Sequence, residues 1–446
     1  MMRSVPDSKS TDGGMEYLPL MGRNSHWARQ RKFVHAYLTE AANAQYYGVI
    51  DFEVKRWLFR LLQEPDKHVF SLEDMAAKVM STLTWDDPDV SETLAGSAWA
   101  LLTQMSPAGP ITNLITPLWH LPSWMNPWRQ AETKRRNAQS DFWMKRYQQV
   151  KALYENGDAR ASWTRQYLSI AEKQKPLTGD QEASAALGML AIVGIFTVGG
   201  PLHYFLLAMV CHPDWQKKIH EEIDNVCKGG LPTLNDSPKL PILRACIKET
   251  MRWRPNVPTG VAHEAEEDDY YHGYFIPKSA RILLLDWAFL RNPEKYPDPD
   301  NYRPERWLEP HWPTYQQPLT VYPTIKGMSS FGYGRRQCLG QTLTQDETLL
   351  ACGGLMWAFD LCRKRNPVTG MDIDIPLHKS NSLLIIKPDS FEMAFVPRSE
   401  MRRKEIVDNW LYAEATDKDH RAQFLREVEA SRRRDRRAAA MQLPVA

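Results

Sequence analysis

The stretch Phe331-Gly-Tyr-Gly-Arg-Arg-Gln-Cys-Leu-Gly340 decides how this 446-residue chain is read. It sets one cysteine among glycines and runs straight into the helical pattern that follows Gly340. Glycine lacks a Cβ and tolerates positive φ, so backbone N–H groups can approach a sulfur that other residues would screen. Those groups, and the N-terminus of the following helix, are expected to favour a thiolate over a thiol. A free cysteine elsewhere is usually just a small buried apolar residue. The ten-residue pattern FxxGxRxCxG overrides that bland reading for Cys338. The stretch therefore predicts a thiolate held for a metal, with Phe331 and Arg336 in the same loop.

Working outward, three shorter motifs lie upstream. Glu249-Thr-Met-Arg252 puts an acid and a base at i and i+3, on one face of a helix. Pro304-Glu-Arg-Trp307 supplies a further base, Arg306, shortly before the cysteine loop. Trp27-Ala-Arg-Gln-Arg31 sets an indole and a guanidinium one helical turn apart. The segment Ala183 to Pro213 has no Asp, Glu, Lys or Arg over 31 residues. It is long enough to span a membrane. Its Gly188, Gly194, Gly199, Gly200, Pro201 and His203 fit a core helix better, with a kink or opening expected at Gly199-Gly200-Pro201.

Composition sets the outer limits. Fifty-six basic residues against 54 acidic give a formal charge of +2, which excludes a chain built mainly for nucleic acid. Sixteen Trp, 17 Tyr and 14 Phe supply a large core. Six cysteines without a CxxC pair point to a reducing compartment. Residues 1–22 are polar and expected to be disordered. Helical patterning covers Trp27 to Met105 and Glu132 to Gln174. Between them, residues 106–128 crowd prolines among Trp and Leu, which suits a membrane-surface or entry loop and equally a loop packed on its own protein. Beyond residue 240 come a helix from Pro241 to Trp253, short strands near Tyr274 and Arg281, a helix to Phe359, and a β-like tail (SLLIIKP, FEMAFVP). Residues 406–446 read as a charged tail.

Taken together, these motifs resemble the cytochrome P-450 family of haem-thiolate monooxygenases, most closely those of filamentous fungi, over about residues 23–405. The resemblance implies a mainly α fold with a smaller β-rich lobe. It implies haem b, with Cys338 as axial ligand to the iron, because a thiolate pushes electron density that favours O–O cleavage. Trp27, Arg31 and Arg336 then face haem propionates, and Phe331 belongs to the cofactor loop. His263, in the strand after Pro258-Thr-Gly-Val-Ala, falls where relatives place a propionate ligand; as a single residue it also suits an ordinary histidine. Glu249, Arg252 and Arg306 become a structural triad. The resemblance also implies NADPH-derived electrons from a membrane flavoprotein reductase, since no GxGxxG fingerprint is present. Lys326, Arg335, Lys217 and Lys218 are candidate docking residues, although an ordinary solvated helix face is the better reading of Lys217 and Lys218. An endoplasmic reticulum location, facing the cytoplasm, follows from the same likeness.

Two departures qualify the expectation. The family's central acid–alcohol pair is here Phe196-Thr197, preceded by Val193-Gly194-Ile195. Thr197 is retained as the catalytic alcohol, with a helix-interior Thr that bonds its own i−4 carbonyl as the other reading, but the acid is missing. Only 26 polar residues precede Trp27, where relatives carry an anchor, strands and a helix over the substrate, so an N-terminally truncated form is expected. Impaired oxygenase activity, or a membrane-spanning interaction protein built on 183–213, are the rival readings. The substrate-facing stretches implied by the likeness, Leu190–Thr197, Val257–Val261 and Ser382–Leu384, are mostly apolar. They suit a hydrophobic natural product of fungal specialised metabolism.

Overall fold

The computed structural model describes residues 18–41, 47–106 and 108–417. Helices dominate. The first four are α1 (Ser25–Ala41), α2 (Tyr47–Gln63), α3 (His68–Trp85) and α4 (Ser91–Met105). Next come α5 (Pro127–Glu155), α6 (Trp163–Ser169), α7 (Ala171–Gln174) and α8 (Asp180–Cys211). After α9 (Pro213–Cys227), α10 (Pro241–Trp253) and α11 (Asp286–Phe289), α12 (Gln341–Ala358) follows the cysteine loop. Three antiparallel pairs form the β part: β1 (His263–Glu264) with β4 (Arg281–Ile282), β2 (Asp269–Tyr271) with β3 (Tyr274–Ile276), and β5 (Phe359–Arg363) with β6 (Met393–Pro397). The mainly α architecture with a small β lobe is therefore as expected.

The uncharged segment is the axis of the core. α8 is apolar enough to cross a membrane, yet its apolar window is 83% buried inside the protein, against α3, α4, α5, α10 and α12. Burial by its own protein satisfies the apolar surface that a bilayer would otherwise cover. The helix runs unbroken through Gly199-Gly200-Pro201 and does not open there. Pro201 has no N–H for the carbonyl of Thr197, four residues back. That carbonyl accepts instead from the Asn256 side chain at 3.0 Å. Gly200 permits this approach: a Cβ there would lie 3.0 Å from Asn256 Cβ and 3.2 Å from the Ile386 carbonyl.

Several other expectations are corrected. SLLIIKP forms no strand, only a single bridge between Ser380 and Pro388. Its backbone donors are taken elsewhere: Leu384 N–H bonds the Ser106 hydroxyl at 2.8 Å, and Ile386 N–H the Asn256 carbonyl at 2.7 Å. Among the described residues Leu18 and Met21 are buried, and residues 1–17 lie outside the described set. The described residues also continue past 405. Residues 400–417 form a helix whose Trp410 packs on Phe52 and Phe59, while the arginine-rich residues 432–437 lie outside the described residues.

Two surfaces stay apolar. In the 106–128 connection, Leu114 is 72% and Trp124 78% exposed, while buried Asn126 anchors the loop by donating to the Leu118 and Trp119 carbonyls. Beside β4, Ile282, Leu283, Leu284 and Leu285 are all exposed, and the β1–β4 pair has no third strand among the described residues.

Candidate active site

The cysteine loop folds by closing on itself. Gly332 (φ 70°) and Gly334 (φ 58°) take left-handed conformations that L residues resist. The turn they make lets Cys338 N–H bond the Phe331 carbonyl at 2.7 Å, with the Phe331 ring buried beneath. Gly340 N–H points at the Cys338 sulfur, 3.3 Å away, at the threshold of α12. The sulfur is solvent-accessible but ringed by protein, as on the wall of a recess. Burial pushes the thiol up from its ordinary range, against the pull of Gly340 N–H and the Arg31 charge. The protein alone thus favours the thiol, contrary to the expectation from the loop. A bound metal cation is what deprotonates such a sulfur.

Beside the thiol two guanidinium groups converge. Asn24 caps α1 by accepting from Trp27 N–H at 2.7 Å, which fixes the helix that presents Trp27 and Arg31. Arg336 lies 4.2 Å and Arg31 5.7 Å from the Trp27 ring centroid. Arg31 also donates to the Gln337 carbonyl at 2.7 Å. Burial lowers the pKa of both, and neither forms an ion pair among the described residues. Two adjacent cations next to a thiol call for a dianionic, metal-bearing group, and the propionates and iron of haem meet that demand. The residues present therefore fit haem. His263 is exposed on β1, opposite Ile282, and makes no hydrogen bond to the cysteine loop among the described residues.

α8 carries one break in its burial along its interior. Val193, Gly194 and Thr197 are partly exposed, while Ile192, Ile195, Phe196 and Val198 are buried. Positions i, i+1 and i+4 share one helical face, so a narrow stripe of α8 looks onto open space. The Thr197 hydroxyl donates to the Val193 carbonyl, leaving its oxygen free to accept. Phe196 stands edge-on to Trp99, with centroids 5.7 Å apart.

The Glu249, Arg252 and Arg306 side chains meet as expected, all fully buried. Glu249 accepts from Arg252 at 2.7 and 2.9 Å and from Arg306 at 3.1 Å. The guanidinium groups spend their other donors on the carbonyls of Leu290, Pro297, Asp298, Pro299 and Asn301. One carboxylate is shared by two guanidinium groups, and every guanidinium nitrogen donates at least once, which is what lets a buried ion set hold. Sequence reading missed two further partners of Glu249: Trp307 Nε1–H at 3.0 Å and Arg303 N–H at 2.9 Å. It also missed Glu182, which ties α1 to α8 through His26 at 3.1 Å and Arg29 at 3.4 Å. No spacing rule links residues more than 150 apart; only the fold reveals that contact.

A thiol at a helix threshold, paired cations beside it, and a buried acid–base lock beneath define a haem-thiolate protein. Comparison with known proteins specifies it further. The family model described as Cytochrome P450 matches residues 3–393, and the chain belongs to that family. It is 29% identical to cytochrome P450 monooxygenase fogE of Aspergillus ruber, over 89% of this chain and 74% of that protein. It is 31% identical to cytochrome P450 monooxygenase virE of Hypocrea virens, over 87% of this chain and 72% of the relative. In fold it is similar to a zebrafish cytochrome P450 solved with progesterone, at 20% identity and a TM-score of 0.67, covering 85% of this chain and 84% of that one. The protein is thus a cytochrome P450 monooxygenase with a haem-thiolate cofactor, a small-molecule substrate and an external redox partner.

Proposed function

We propose that this protein oxidises, most simply by hydroxylation, a hydrophobic natural product in fungal secondary metabolism. The observation that carries the reading is the accessible Cys338 sulfur flanked by the converging Arg31 and Arg336 guanidinium groups, beside which the partly exposed Val193, Gly194 and Thr197 on an otherwise buried helix are read as the substrate-facing stripe. Cys338 would bind the haem iron, and Trp27, Arg31, Arg336 and His263 would hold the propionates over the Phe331 loop. Haem so bound supplies the reductive activation of dioxygen. The protein's own residues do the rest. The apolar stretches Leu190–Thr197, Val257–Val261 and Ser382–Leu384 position the substrate by excluding water. Thr197 offers its hydroxyl oxygen to ordered water on the open face. Support for the substrate class comes from the apolar character of these stretches and from the fungal monooxygenases the chain is similar to.

Electrons would come from NADPH through a flavoprotein reductase, docked on exposed Lys326, Arg335, Lys217 and Lys218. Raised salt should then slow reduction. The exposed side chains of 106–128 are apolar, which supports peripheral contact with the cytoplasmic face of the endoplasmic reticulum membrane. The test is the reduced carbon monoxide spectrum of the haem-loaded chain. The red-shifted band of a thiolate-ligated carbonyl is expected in the wild type and absent in Cys338→Ser. A Cys338→Ser protein that kept the band would refute the ligand assignment.

A further inference from the structure

Monooxygenation consumes two protons and two electrons for each dioxygen, so a monooxygenase needs a proton route from solvent to its buried site. α8 offers few carriers. Between Glu182 and the end of the helix it has no carboxylate, and its one imidazole is His203. His203 sits seven residues after Phe196, two turns along the same face.

A crevice opens on that face. It is lined by Glu73, Trp99, Phe196, His203, Asn381 and Lys387, with a volume of about 10 Å³, room for one water. Its outer end meets solvent: Trp99 is 41%, Lys387 21% and Glu73 20% exposed. Its inner end is closed by His203, 4% exposed, and by the Gly199-Gly200 backbone, where any side chain at 200 would fill the space toward Ile386. Two polar atoms at this inner end lack a partner within hydrogen-bond distance. They are the buried His203 Nε2, whose nearest polar group is the Glu73 carboxylate at 3.6 Å, and the buried Asn381 Nδ2. Orphaned polar atoms around a water-sized space are what an ordered water satisfies.

The charges around the imidazole are arranged for exchange. Glu73 of α3 lies 3.6 Å from His203 Nε2, and Lys387 pairs with the same carboxylate. His68, also of α3, faces His203 as the other titratable neighbour. Burial holds His203 below its ordinary pKa, so it is neutral near pH 7 and can both accept and donate. Burial works against the Glu73 carboxylate, but His203 and Lys387 outweigh it and keep it ionised.

We propose that Glu73 and His203 replace the acid that α8 lacks at Phe196, forming a solvent-fed relay that delivers protons to the flank of α8 beside Thr197. A proton taken from solvent by Glu73 passes to His203 Nε2, the ring nitrogen that faces both the carboxylate and the crevice, and leaves from the same Nε2 to the crevice water. The carboxylate is ionised again and the imidazole keeps its tautomer, so the relay is balanced. The inference rests on the monooxygenase reading above. Glu73 and His203 act through water and are positioning residues.

The test uses the haem-loaded full chain with ¹⁵N-labelled histidine, held as the diamagnetic ferrous carbonyl. Solvent exchange of the His203 ring N–H is read by NMR, the signal being identified by its loss in His203→Gln. Rapid exchange is expected, with a shifted resonance in Glu73→Gln; a ring N–H protected for hours overturns the relay. In parallel, hydrogen peroxide released per NADPH consumed is measured with a reductase and decalin as the hydrocarbon probe. Glu73→Gln should raise that yield about tenfold, while Glu73→Asp restores it and all variants keep the thiolate carbonyl band. Should Glu73→Gln fold poorly, Asn381→Ala tests the same crevice. An unchanged peroxide yield in a variant with an intact band overturns the relay alone. A wild-type chain without that band overturns the relay together with the reading it rests on.

Discussion

Cys338 and Thr197 show how little of a residue's chemistry its own identity sets. The Cys338 thiol stands above its ordinary pKa because burial outweighs one N–H and one distant cation, so a metal must complete the site. Thr197→Ala tests the alcohol: product formed per NADPH should fall severalfold while the carbon monoxide band is kept, because the residue is not a ligand. Glu249 works differently. Glu249→Gln should cost about 3–5 kcal/mol, read as the midpoint of chemical unfolding, because it leaves two buried guanidinium groups without a counter-charge. Cys338 and the triad were readable from the sequence because each is declared by residues a few places apart. His203 was visible in the sequence as one of two imidazoles, with His212, in 31 residues free of Asp, Glu, Lys and Arg, but its partners were not. Glu73 and Lys387 are separated by 314 residues, and no periodicity reports on such a contact.

At the scale of elements, legibility followed punctuation. α10 begins at Pro241 and α12 just after Gly340, and both helices lie where the sequence placed them, since Pro at a first turn and Gly at a boundary act locally. The stretch 382–388 misled because an apolar run states burial without stating where its backbone donors go. Here Ser106 and Asn256 claim them. Asn256 consequently joins two elements, capping the carbonyl that Pro201 strands in α8 and bonding Ile386. Asn256→Leu should therefore destabilise the protein by about 1–3 kcal/mol by leaving the Thr197 carbonyl unpaired, while the Ile386 bond to the backbone carbonyl of residue 256 is kept, measured by thermal unfolding of the haem-free and haem-loaded forms. Gly200→Ala should cost a similar amount, since its Cβ meets the Asn256 side chain and the Ile386 backbone.

For the whole molecule, two carboxyl groups whose proton affinity is raised by burial give stability a pH dependence. Glu347 in α12 is fully buried, neither oxygen has a hydrogen-bond partner, and burial pushes its pKa up to about 8. Burial also raises Glu222, which caps α10 through the N–H groups of Ile242 and Leu243, to about 7. In both, the native state holds its proton more tightly than the unfolded chain. Their contribution is complete below about pH 4.5 and is lost as pH rises toward 7 and 8. Stability should decline between about pH 4.5 and 8, and Glu347→Gln should flatten that decline, by at most about 5 kcal/mol, in denaturant titrations across the range.

The exposed Ile282–Leu285 run beside the two-stranded β1–β4 pair has a colloidal consequence. An apolar strip next to unsatisfied ladder groups is adhesive toward any extended chain, including a second copy. Purified protein should thus sediment as larger species as its concentration rises, and mild detergent should return it to single copies. Replacing Leu283 with lysine should have the same dispersing effect without detergent. Handling conditions, as much as catalysis, are written into that edge.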